Sequence, residues 1–260
     1  MTKPIRFDNG AAYERYMGIW SQRVGAAFLG WLAPPQNLRW LDVGCGNGAF
    51  TEMIAAHCAP AAITGIDPAE AVLDYARMRP TLHGARLLKG DAMALPFPDA
   101  SFDVAVMPLV IFFVPDPAKG VSEMARVTAP GGIVTAYGWD MTDGFPYRAV
   151  RDELCDMGFA VPEAPSRDAS RPEVMQGFWQ AAGLEAIESR VFTVARTFAD
   201  FDDYWTTVLG GPSTSAALKD LQPENIAELQ ARLRQRLPPD GSGRITYSAR
   251  ANAIQGRVAG

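Results

Sequence analysis

Hydrophobic positions between residues 35 and 140 follow two alternating patterns. Short apolar runs bounded by glycine, proline or aspartate have the period of β-strands, and the stretches between them have the period of amphipathic helices. The predicted strands are 39–43, 61–67, 86–90, 102–107 and 131–139, and the predicted helices are 48–58, 69–79 and 117–128. Strands and helices that take turns in this way predict parallel βαβ units with right-handed crossovers, and therefore an α/β fold.

Two further regions flank this alternating core. Residues 11–32 carry apolar side chains at helical spacing, which predicts an amphipathic leading helix that ends before Pro34. Beyond Asp140 the alternation stops. Helices are predicted there at 172–182, 200–210 and 222–236. Strand character returns at 185–198 and 244–257, and we expect these two segments to pair antiparallel.

The chain is predicted to form one domain with several parts. Its 260 residues, of which 48% are hydrophobic, can bury a single substantial core. We expect, in chain order, leading helices in 1–34, the α/β core in 38–140, a helical cover in 141–182 and 199–240, and a closing strand pair in 184–198 and 243–257.

Charge and cysteine content exclude several classes of protein. The formal net charge of −5 and the pI near 5.1 argue against nucleic-acid binding, which needs a clustered basic surface. Cys45, Cys58 and Cys155 are odd in number and lack C-x-x-C spacing, so neither a disulfide framework nor a metal site is predicted. No signal-like segment and no run of about 18 apolar residues occurs, which favours a cytoplasmic protein without a membrane span. The oligomeric state stays open, with a homodimer among the alternatives.

A glycine-rich loop follows the first predicted strand. Gly44, Gly46 and Gly48 allow positive φ angles and a close approach of the backbone to a ligand. Asp42, two residues before the loop, would repel a pyrophosphate but attract an ammonium or sulfonium group. With Ala49 the loop also satisfies G-x-G-x-x-A, the dinucleotide fingerprint, so a nicotinamide-binding protein remains an alternative. A turn needed only for strand-to-helix packing is the other alternative.

Two further carboxylates follow predicted strands. Asp67 closes the second strand, where it would accept hydrogen bonds from both hydroxyls of a ribose. The same position could also cap the next helix, and both roles are compatible. Asp91 follows the third strand and could accept a hydrogen bond from an adenine amine, or it could form a turn. The carboxyl ends of parallel strands collect ligands, which favours the adenine contact.

Four successive motifs resemble those of class I S-adenosylmethionine-dependent methyltransferases. They are Leu41-Asp42-Val43-Gly44-Cys45-Gly46-Asn47-Gly48, Gly65-Ile66-Asp67-Pro68, Gly90-Asp91-Ala92-Met93-Ala94-Leu95-Pro96-Phe97 and Ser101-Phe102-Asp103-Val104. The subgroup that the chain resembles, type 11, includes the quinone-biosynthesis and other small-molecule methyltransferases. The resemblance covers about residues 38–140, and four motifs in the same order are far more specific than any one of them.

This resemblance implies a fold, a cofactor and an activity. The fold is a doubly wound, Rossmann-like sheet of seven mostly parallel strands, with the last strand antiparallel and with helical lid insertions. The cofactor is S-adenosyl-L-methionine, and it lies across the carboxyl ends of the first three strands. The activity is transfer of its methyl group to a small molecule, which the apolar and aromatic composition of the cover predicts to be apolar or aromatic.

The resemblance also implies roles for individual residues. Asp42 faces the amino end of the methionine moiety, Asp67 holds the ribose, and Asp91 holds the adenine. The leading helix closes over the cofactor, although the spacing of Tyr16 and Trp20 is also that of a core-facing stripe. The complete set of cofactor-binding residues implied is Tyr16, Trp20, Asp42, Gly44, Cys45, Gly46, Gly48, Asp67, Pro68, Asp91, Ala92 and Met107.

No catalytic residue is assigned. Many relatives of this subgroup carry a histidine pair where this chain has Phe112 and Phe113, and His57 and His83 are expected on the surface. Displacement at a sulfonium methyl needs positioning more than a base. If a base is used, the candidate oxygen groups lie in the cover, where each could equally be a surface residue. They are Asp140, Asp143, Tyr147, Glu153 and Tyr204.

The acceptor pocket is expected to use part of a set of large apolar residues in the cover. The set is Phe145, Tyr147, Met157, Phe159, Met175, Phe178, Trp179, Phe201, Tyr204 and Trp205. Two other functions stay open. An NAD(P)-dependent oxidoreductase is disfavoured by Asp42 and by the lack of an evident Tyr-x-x-x-Lys pair, and a non-catalytic S-adenosylmethionine-binding regulatory protein would share every binding residue.

Overall fold

The computed structural model describes residues 14–219 and 221–260. Seven strands form one sheet in the order β3-β2-β1-β4-β5-β7-β6. The strands are β1 (Arg39–Val43), β2 (Ala62–Asp67), β3 (Arg86–Lys89), β4 (Phe102–Pro108), β5 (Thr128–Trp139), β6 (Glu185–Phe198) and β7 (Ile245–Arg257). Every predicted strand is present, with its ends within three residues of the predicted ones.

Helices cover both faces of this sheet and its carboxyl edge, as the alternating pattern predicts. They are α1 (Ile19–Leu32), α2 (Ala49–His57), α3 (Glu70–Arg77), α4 (Pro117–Val127), α5 (Arg148–Asp156), α6 (Pro172–Ala181), α7 (Phe201–Leu209), α8 (Pro212–Leu218) and α9 (Pro223–Arg236). Short 3₁₀ turns lie at Pro80–Leu82, Ile111–Phe113 and Arg167–Ser170. Within the described ranges, no helix has the length and hydropathy needed to cross a bilayer.

The last strand of the chain is antiparallel to its neighbours. β7 lies between β5 and β6 and runs opposite to both, whereas β1 to β5 pair in parallel. The predicted antiparallel pair at the end of the chain is therefore confirmed, and so is the Rossmann-like sheet with one antiparallel strand. Strand order reverses between β1 and β4, and ligands of open α/β sheets bind at such a switch point.

The centre of the sheet is apolar on both faces. Trp40, Leu41, Val104 and Val106 are completely buried, because helices cover each side of β1 and β4. Strands buried on both faces read as continuous hydrophobic runs, which is why these two strands are legible in the sequence. Asp42 is the exception in this layer, since it is a carboxylate at the same depth.

The structure adds two helices that the hydrophobic pattern did not predict, α5 and α8. The α5 sequence is mostly charged, and of its nine residues only Ala149, Val150 and Leu154 are buried. Tertiary contacts rather than periodicity stabilise such a helix. The predicted leading helix is also modified, because a π-helical turn at Glu14–Gly18 precedes α1. The first residues predicted for that helix, 11–13, lie outside the described residues.

Candidate active site

The glycine loop between β1 and α2 has the backbone that its sequence predicts. Gly44, Gly46 and Gly48 have φ angles of +78°, +53° and +79°. A Cβ atom at Gly44 would lie 2.6 Å from the side chain of Val110, and one at Gly48 would lie 2.5 Å from that of Leu82. A Cβ at Gly46 would meet nothing closer than a backbone oxygen at 4.0 Å. Two glycines are therefore required by packing, and the third borders open space.

Asp42 is a completely buried carboxylate with one oxygen satisfied. Thr51 in α2 donates a hydrogen bond of 2.7 Å from Oγ1 to Asp42 Oδ2. The other oxygen, Oδ1, accepts no hydrogen bond from any described residue. Burial raises the pKa of Asp42 to about 7, and the hydrogen bond from Thr51 opposes that shift. A buried acceptor without a donor is costly, and it indicates a position for a donor that the chain does not supply.

Asp67 connects the glycine loop to the start of α3. Its carboxylate accepts hydrogen bonds from the backbone N–H of Gly46, at 3.0 Å, and from that of Ala69, at 2.9 Å. Burial raises its pKa, whereas these two hydrogen bonds lower it. The bond from Ala69 forms a turn before α3, and no side chain caps that helix, so the capping alternative left open by the sequence is not observed. Each carboxylate oxygen can accept more than one hydrogen bond, so a ribose contact is compatible with both bonds.

A crevice is bordered by the glycine loop and Asp67. The remaining residues predicted to bind the cofactor lie in different environments around it. Asp91 accepts a hydrogen bond of 2.9 Å from the backbone N–H of Met93, which is the turn interaction that the sequence left open. The Cys45 side chain packs in a small cluster with α3 rather than in the crevice. Met107 is completely buried, close to the face of α4 that carries Gly120. Pro68 is exposed and Ala92 is partly exposed.

Tyr16 and Trp20 belong to a buried polar cluster centred on Tyr147. The Tyr147 hydroxyl donates to the backbone oxygen of Tyr16, at 2.6 Å, and accepts from Trp20 Nε1, at 3.0 Å. Arg196 of β6 also donates to this hydroxyl and to the backbone oxygens of Arg15 and Tyr16. The rings of Tyr16 and Tyr147 stack at 4.2 Å. The leading turn is thus attached to the cover through backbone oxygens, which no side-chain pattern reveals.

The same leading turn also contacts the glycine loop. Glu14 accepts a hydrogen bond of 3.2 Å from Asn47 Nδ2 and lies 3.7 Å from Arg79 Nη2. Arg79 in turn donates to the backbone oxygen of Asn47, at 2.7 Å, and pairs with Glu52. Two distant parts of the chain therefore converge on Asn47. The sequence does not reveal these contacts, because Asn47 is neither a glycine nor a carboxylate of the loop motif.

An apolar pocket opens beside the glycine loop, at the carboxyl ends of β4 and β5. Its wall combines the leading turn, the segment after β4, the end of β5 and the first part of the cover. The apolar lining residues are Tyr16, Met17, Leu109, Phe112, Phe113, Trp139, Met141, Phe145, Tyr147, Leu154, Val161, Pro162 and Ala164. Arg148, Arg151, Asp152, Glu163 and Arg167 add a charged side to the lining.

The candidate bases all have other partners or lie elsewhere. Tyr147 uses its proton in the bond to Tyr16, and burial raises its pKa to about 12. Asp140 pairs with Arg250, Asp143 with Arg148, and Glu153 with Arg236. Tyr204 is buried outside the pocket lining, and burial raises its pKa well above the usual value. None of these groups is therefore placed as a base for an acceptor in the pocket.

Most of the large apolar residues of the cover pack in the core rather than line the pocket. Of the ten named in the sequence analysis, Phe145 and Tyr147 are in its wall. Trp205 stacks on Phe201, and Trp179 donates its Nε1 to the backbone oxygen of Val134. Trp205 is therefore not among the members of the set that line this pocket. His57 and His83 are exposed, as expected. Within the described residues, no cluster of three His, Cys, Asp or Glu side chains could hold a metal ion.

Comparison with known proteins assigns the core to a family. Residues 41–136 match the model of the methyltransferase-domain family, type 11. This range contains the glycine loop, Asp67, Asp91 and the segment after β4. Residues 41–136 thus resemble a class I methyltransferase domain. The cofactor of this class is S-adenosyl-L-methionine, and the resemblance seen in the four sequence motifs is confirmed.

Two curated relatives act on different small molecules. A fatty-acid O-methyltransferase from Mycolicibacterium smegmatis is 32% identical over 167 residues, which cover 63% of this chain and 57% of that protein. A demethylmenaquinone methyltransferase from Staphylococcus aureus is 33% identical over 131 residues, which cover 50% of this chain and 52% of that protein. The chain thus spans only about half the length of these relatives.

A solved structure shows the same fold over nearly the whole chain. The phosphoethanolamine N-methyltransferase 2 of Haemonchus contortus, solved in complex with S-adenosyl-L-methionine, superposes with a TM-score of 0.58 at 17% identity. The match covers 96% of this chain and 56% of that one. At this identity the likeness describes the architecture and carries no information about the acceptor.

The crevice fits the cofactor of the family in two respects. The unpartnered Oδ1 of Asp42 suits the ammonium group of a methionine moiety, because a cation is the donor that a buried carboxylate binds most strongly. The position that a Cβ atom of residue 46 would take borders space that the chain does not fill. Thr51 and Val110, which shape the surroundings of Asp42 and the glycine loop, carry no sequence signal, because many apolar or small residues would fit the local pattern at each position.

Proposed function

We propose that the protein is an S-adenosylmethionine-dependent methyltransferase whose acceptor is a small molecule with an apolar or aromatic body. The observation that carries this proposal is the aromatic-walled pocket at the carboxyl ends of β4 and β5, whose lining includes the segment after β4. Val110, which packs against Gly44, directly follows the pocket residue Leu109. Pockets lined mainly by apolar groups with a few polar ones are typical of small-molecule sites. The comparisons match methyltransferases and give the nicotinamide and non-catalytic alternatives no support.

The proposed cofactor contacts follow from the geometry of the crevice. Asp42 binds the ammonium group through Oδ1, and Thr51 holds the carboxylate in the orientation that leaves this oxygen available. Gly46 lets the cofactor approach the backbone. Asp67 accepts the ribose hydroxyls with the lone pairs that the two backbone N–H groups do not use. Asp91 and Ala92 border the adenine, and Tyr16 of the leading turn and Trp20 of α1 close the site.

Access to Asp42 requires a movement, because this residue is completely buried. The leading turn at Glu14–Gly18 is the element placed to provide it. It contacts the glycine loop through the Glu14–Asn47 hydrogen bond and contacts the cover through the backbone oxygen of Tyr16. We propose that this turn opens for cofactor entry and closes again over the bound cofactor, since loops and termini commonly gate such sites.

The chain contributes positioning rather than proton transfer. When bound, S-adenosylmethionine supplies an electrophilic methyl group on a positively charged sulfur. Phe112 and Phe113 lie where many relatives have histidines, and they offer the acceptor two rings, with centroids 4.7 Å apart, instead of a base. Burial keeps the pKa of Tyr147 at about 12, so this hydroxyl retains its proton at neutral pH. The pocket therefore orients an acceptor and excludes water, which suits a nucleophile that is already deprotonated or neutral.

We further propose that the 260 residues act as one domain, in the cytoplasm, on a small molecule and not on nucleic acid. The packing supports the first point, because the leading helix and the closing strand pair both pack on the core. The net charge of −5 supports the last. A homodimer remains the assembly to test, by light scattering of the purified protein.

The first experiment measures cofactor choice. Isothermal titration of the purified protein with S-adenosylhomocysteine, NAD and NADP is expected to show binding of the first compound alone. A methyl-transfer assay with labelled S-adenosylmethionine then tests a panel of apolar acids, phenols and quinones. Binding of a nicotinamide nucleotide in place of S-adenosylhomocysteine would overturn the proposal.

A further inference from the structure

One carboxylate at the pocket is shared between two arginines. Glu163 pairs with both Arg151 and Arg167, the latter at 3.4 Å. All three side chains line the pocket, and all three remain partly exposed, with 23% of Arg151, 37% of Arg167 and 48% of Glu163 accessible. The trio therefore carries a net charge of +1 beside an apolar wall.

Arg148, the third arginine of the pocket lining, has no excess of positive charge around it. Arg148 pairs with both Asp143 and Asp152, and Asp152 also binds Arg236. Arg148 therefore has two carboxylate partners, whereas Arg151 and Arg167 have one between them. The pocket lining contains three arginines. Arg151 and Arg167 together have two guanidinium groups and one carboxylate partner, Glu163.

Backbone contacts place both guanidinium groups at the apolar wall, since Arg151 donates from Nη1 to the backbone oxygen of Pro162, at 3.5 Å, and Pro162 lines the pocket. Arg167 donates from Nη2 to the backbone oxygen of Met141, at 3.1 Å, and Met141 belongs to the pocket wall. Ser166, next to it, donates from its backbone N–H to the oxygen of Phe112, at 3.0 Å. The arginine pair is thus held against the segment that also supplies the two phenylalanine rings.

We propose that Arg151 and Arg167 bind the carboxylate of an acceptor whose apolar body lies against the aromatic wall, with the Glu163 carboxylate occupying that place when no acceptor is present. A guanidinium pair matches the two oxygens of a carboxylate, and a partly exposed glutamate can swing away when a ligand carboxylate takes its partners. This inference rests on the proposed function and narrows its acceptor to amphipathic carboxylic acids.

The test uses three probes with the same alkyl chain: decanoate, decyl phosphate and 1-decanol. Each is titrated into the full chain saturated with S-adenosylhomocysteine. Decanoate is expected to bind more tightly than 1-decanol, which lacks the charge. It is also expected to bind more tightly than decyl phosphate, whose second charge would leave the two arginines, the displaced Glu163 and the ligand with a combined net charge of −1. Failure of S-adenosylhomocysteine to bind would count against the proposed function, whereas failure of decanoate alone counts against this inference.

Charge-removing variants locate the interaction. Arg151→Gln and Arg167→Gln are each expected to weaken decanoate binding about tenfold, the equivalent of one charged hydrogen bond, and to leave 1-decanol unchanged. Glu163→Gln is expected to tighten decanoate binding, because the competing carboxylate is gone. Arg171→Gln is the matched control, since Arg171 forms a similar ion pair with Glu173 outside the pocket lining.

Several outcomes would overturn the inference. The arginine pair does not bind the carboxylate if decanoate affinity is unchanged in both arginine variants. The same conclusion follows if the variants lose equal affinity for decanoate and 1-decanol. Weaker decanoate binding by Glu163→Gln would show that the glutamate supports the site rather than competes for it. Tighter binding of decyl phosphate than of decanoate would replace carboxylates with phosphates as the ligand class. Thermal unfolding of each variant, with Arg151→Lys as a charge-preserving partner, separates lost binding from lost folding.

Discussion

The two sides of the candidate site are built in different ways. On the cofactor side, the backbone does most of the shaping: three glycines with positive φ, a buried aspartate and a second aspartate that binds the loop lie within residues 42–67. On the acceptor side, side chains do the shaping, and they come from the leading turn, the segment after β4, the end of β5 and the cover. A binding loop formed by one continuous segment is recognisable as a sequence motif, whereas a pocket assembled from side chains that are distant in the chain is not.

The two sides also differ in how they hold charge. Asp42 is completely buried with one oxygen unpartnered among the described residues, so its ionised form costs free energy until a cation arrives. The carboxylates and arginines of the pocket are partly exposed and already paired, so their interactions are individually weak and exchangeable. The cofactor side is therefore specialised for one ligand, whereas the charged groups on the acceptor side can exchange partners.

The variant with the largest expected effect tests the role of the glycine loop in cofactor binding. Gly46→Val should abolish binding of S-adenosylhomocysteine, because the new side chain fills space that we assign to the cofactor. Gly131→Val is the matched control, since Gly131 also has a positive φ, +74°, and open space around a Cβ. Both variants share the backbone strain, so calorimetry should show lost binding in the first alone. Tight binding by Gly46→Val would mean that the cofactor lies elsewhere.

The buried charge is tested by Asp42→Asn, which keeps the shape of the side chain. We expect S-adenosylhomocysteine to bind more weakly by about 1.5–3 kcal/mol, the usual contribution of a hydrogen bond to a charged group. Because burial raises the Asp42 pKa, the folded protein holds this proton more tightly than the unfolded chain does, and ionised Asp42 costs stability as the pH rises from 3.8 through about 7. The variant should therefore melt no lower than the parent at pH 8. A lower melting temperature would contradict this sign.

The same carboxylate predicts a pH dependence of binding. Protonation of Asp42, whose pKa burial raises to about 7, competes with the cofactor ammonium, so affinity for S-adenosylhomocysteine should fall as the pH drops below that value. The expected slope is about tenfold per pH unit, since one proton is exchanged. Titrations on both sides of neutral pH measure this slope, and the Asp42→Asn variant provides the pH-independent reference. A slope retained in that variant would assign the effect to another group.

The smallest effect on cofactor binding is expected on the acceptor side. Tyr147→Phe removes the acceptor of the Trp20 and Arg196 hydrogen bonds and the donor to Tyr16, so the free energy of unfolding should fall by about 1–3 kcal/mol. The affinity for S-adenosylhomocysteine should fall less than in Asp42→Asn, because Tyr147 contacts the leading turn and not the proposed cofactor position. Tyr204→Phe is the matched control, because the Tyr204 hydroxyl is buried without a described partner and its removal should not destabilise. Equal destabilisation by both variants would show that the Tyr147 hydrogen bonds contribute nothing specific.

The sheet, its order of elements and the cofactor loop could be predicted from the sequence. Strands such as β1 and β4 are short apolar runs between turn residues, and glycine at residues 44, 46 and 48 encodes backbone angles that other residues avoid. The position of Asp67 at the end of β2 was also predictable, because it depends on neighbouring residues in the chain. These features depend on residues close together in the chain, so they can be recognised without knowledge of the fold.

The acceptor side was only partly predictable. The cover was expected to supply aromatic residues, but nothing in the local pattern distinguishes Phe145, which lines the pocket, from Trp205, which packs on Phe201. Helix α5 was missed because its charged sequence has little apolar periodicity, although it carries Arg148 and Arg151. Tyr147 was a candidate base until the structure showed its proton bound to a backbone oxygen.

The sequence by itself thus determined the fold class, the family resemblance and the expected place of the cofactor, because periodicity and glycine spacing act over a few residues. Tertiary structure alone decided which side chains face the pocket, which carboxylates are already paired and where a net positive charge remains. Those properties depend on groups that are distant in the chain and meet only in the fold. Tyr147 binds the backbone of Tyr16 across 131 positions, and Glu163 meets Arg151 only because the cover folds back on α5.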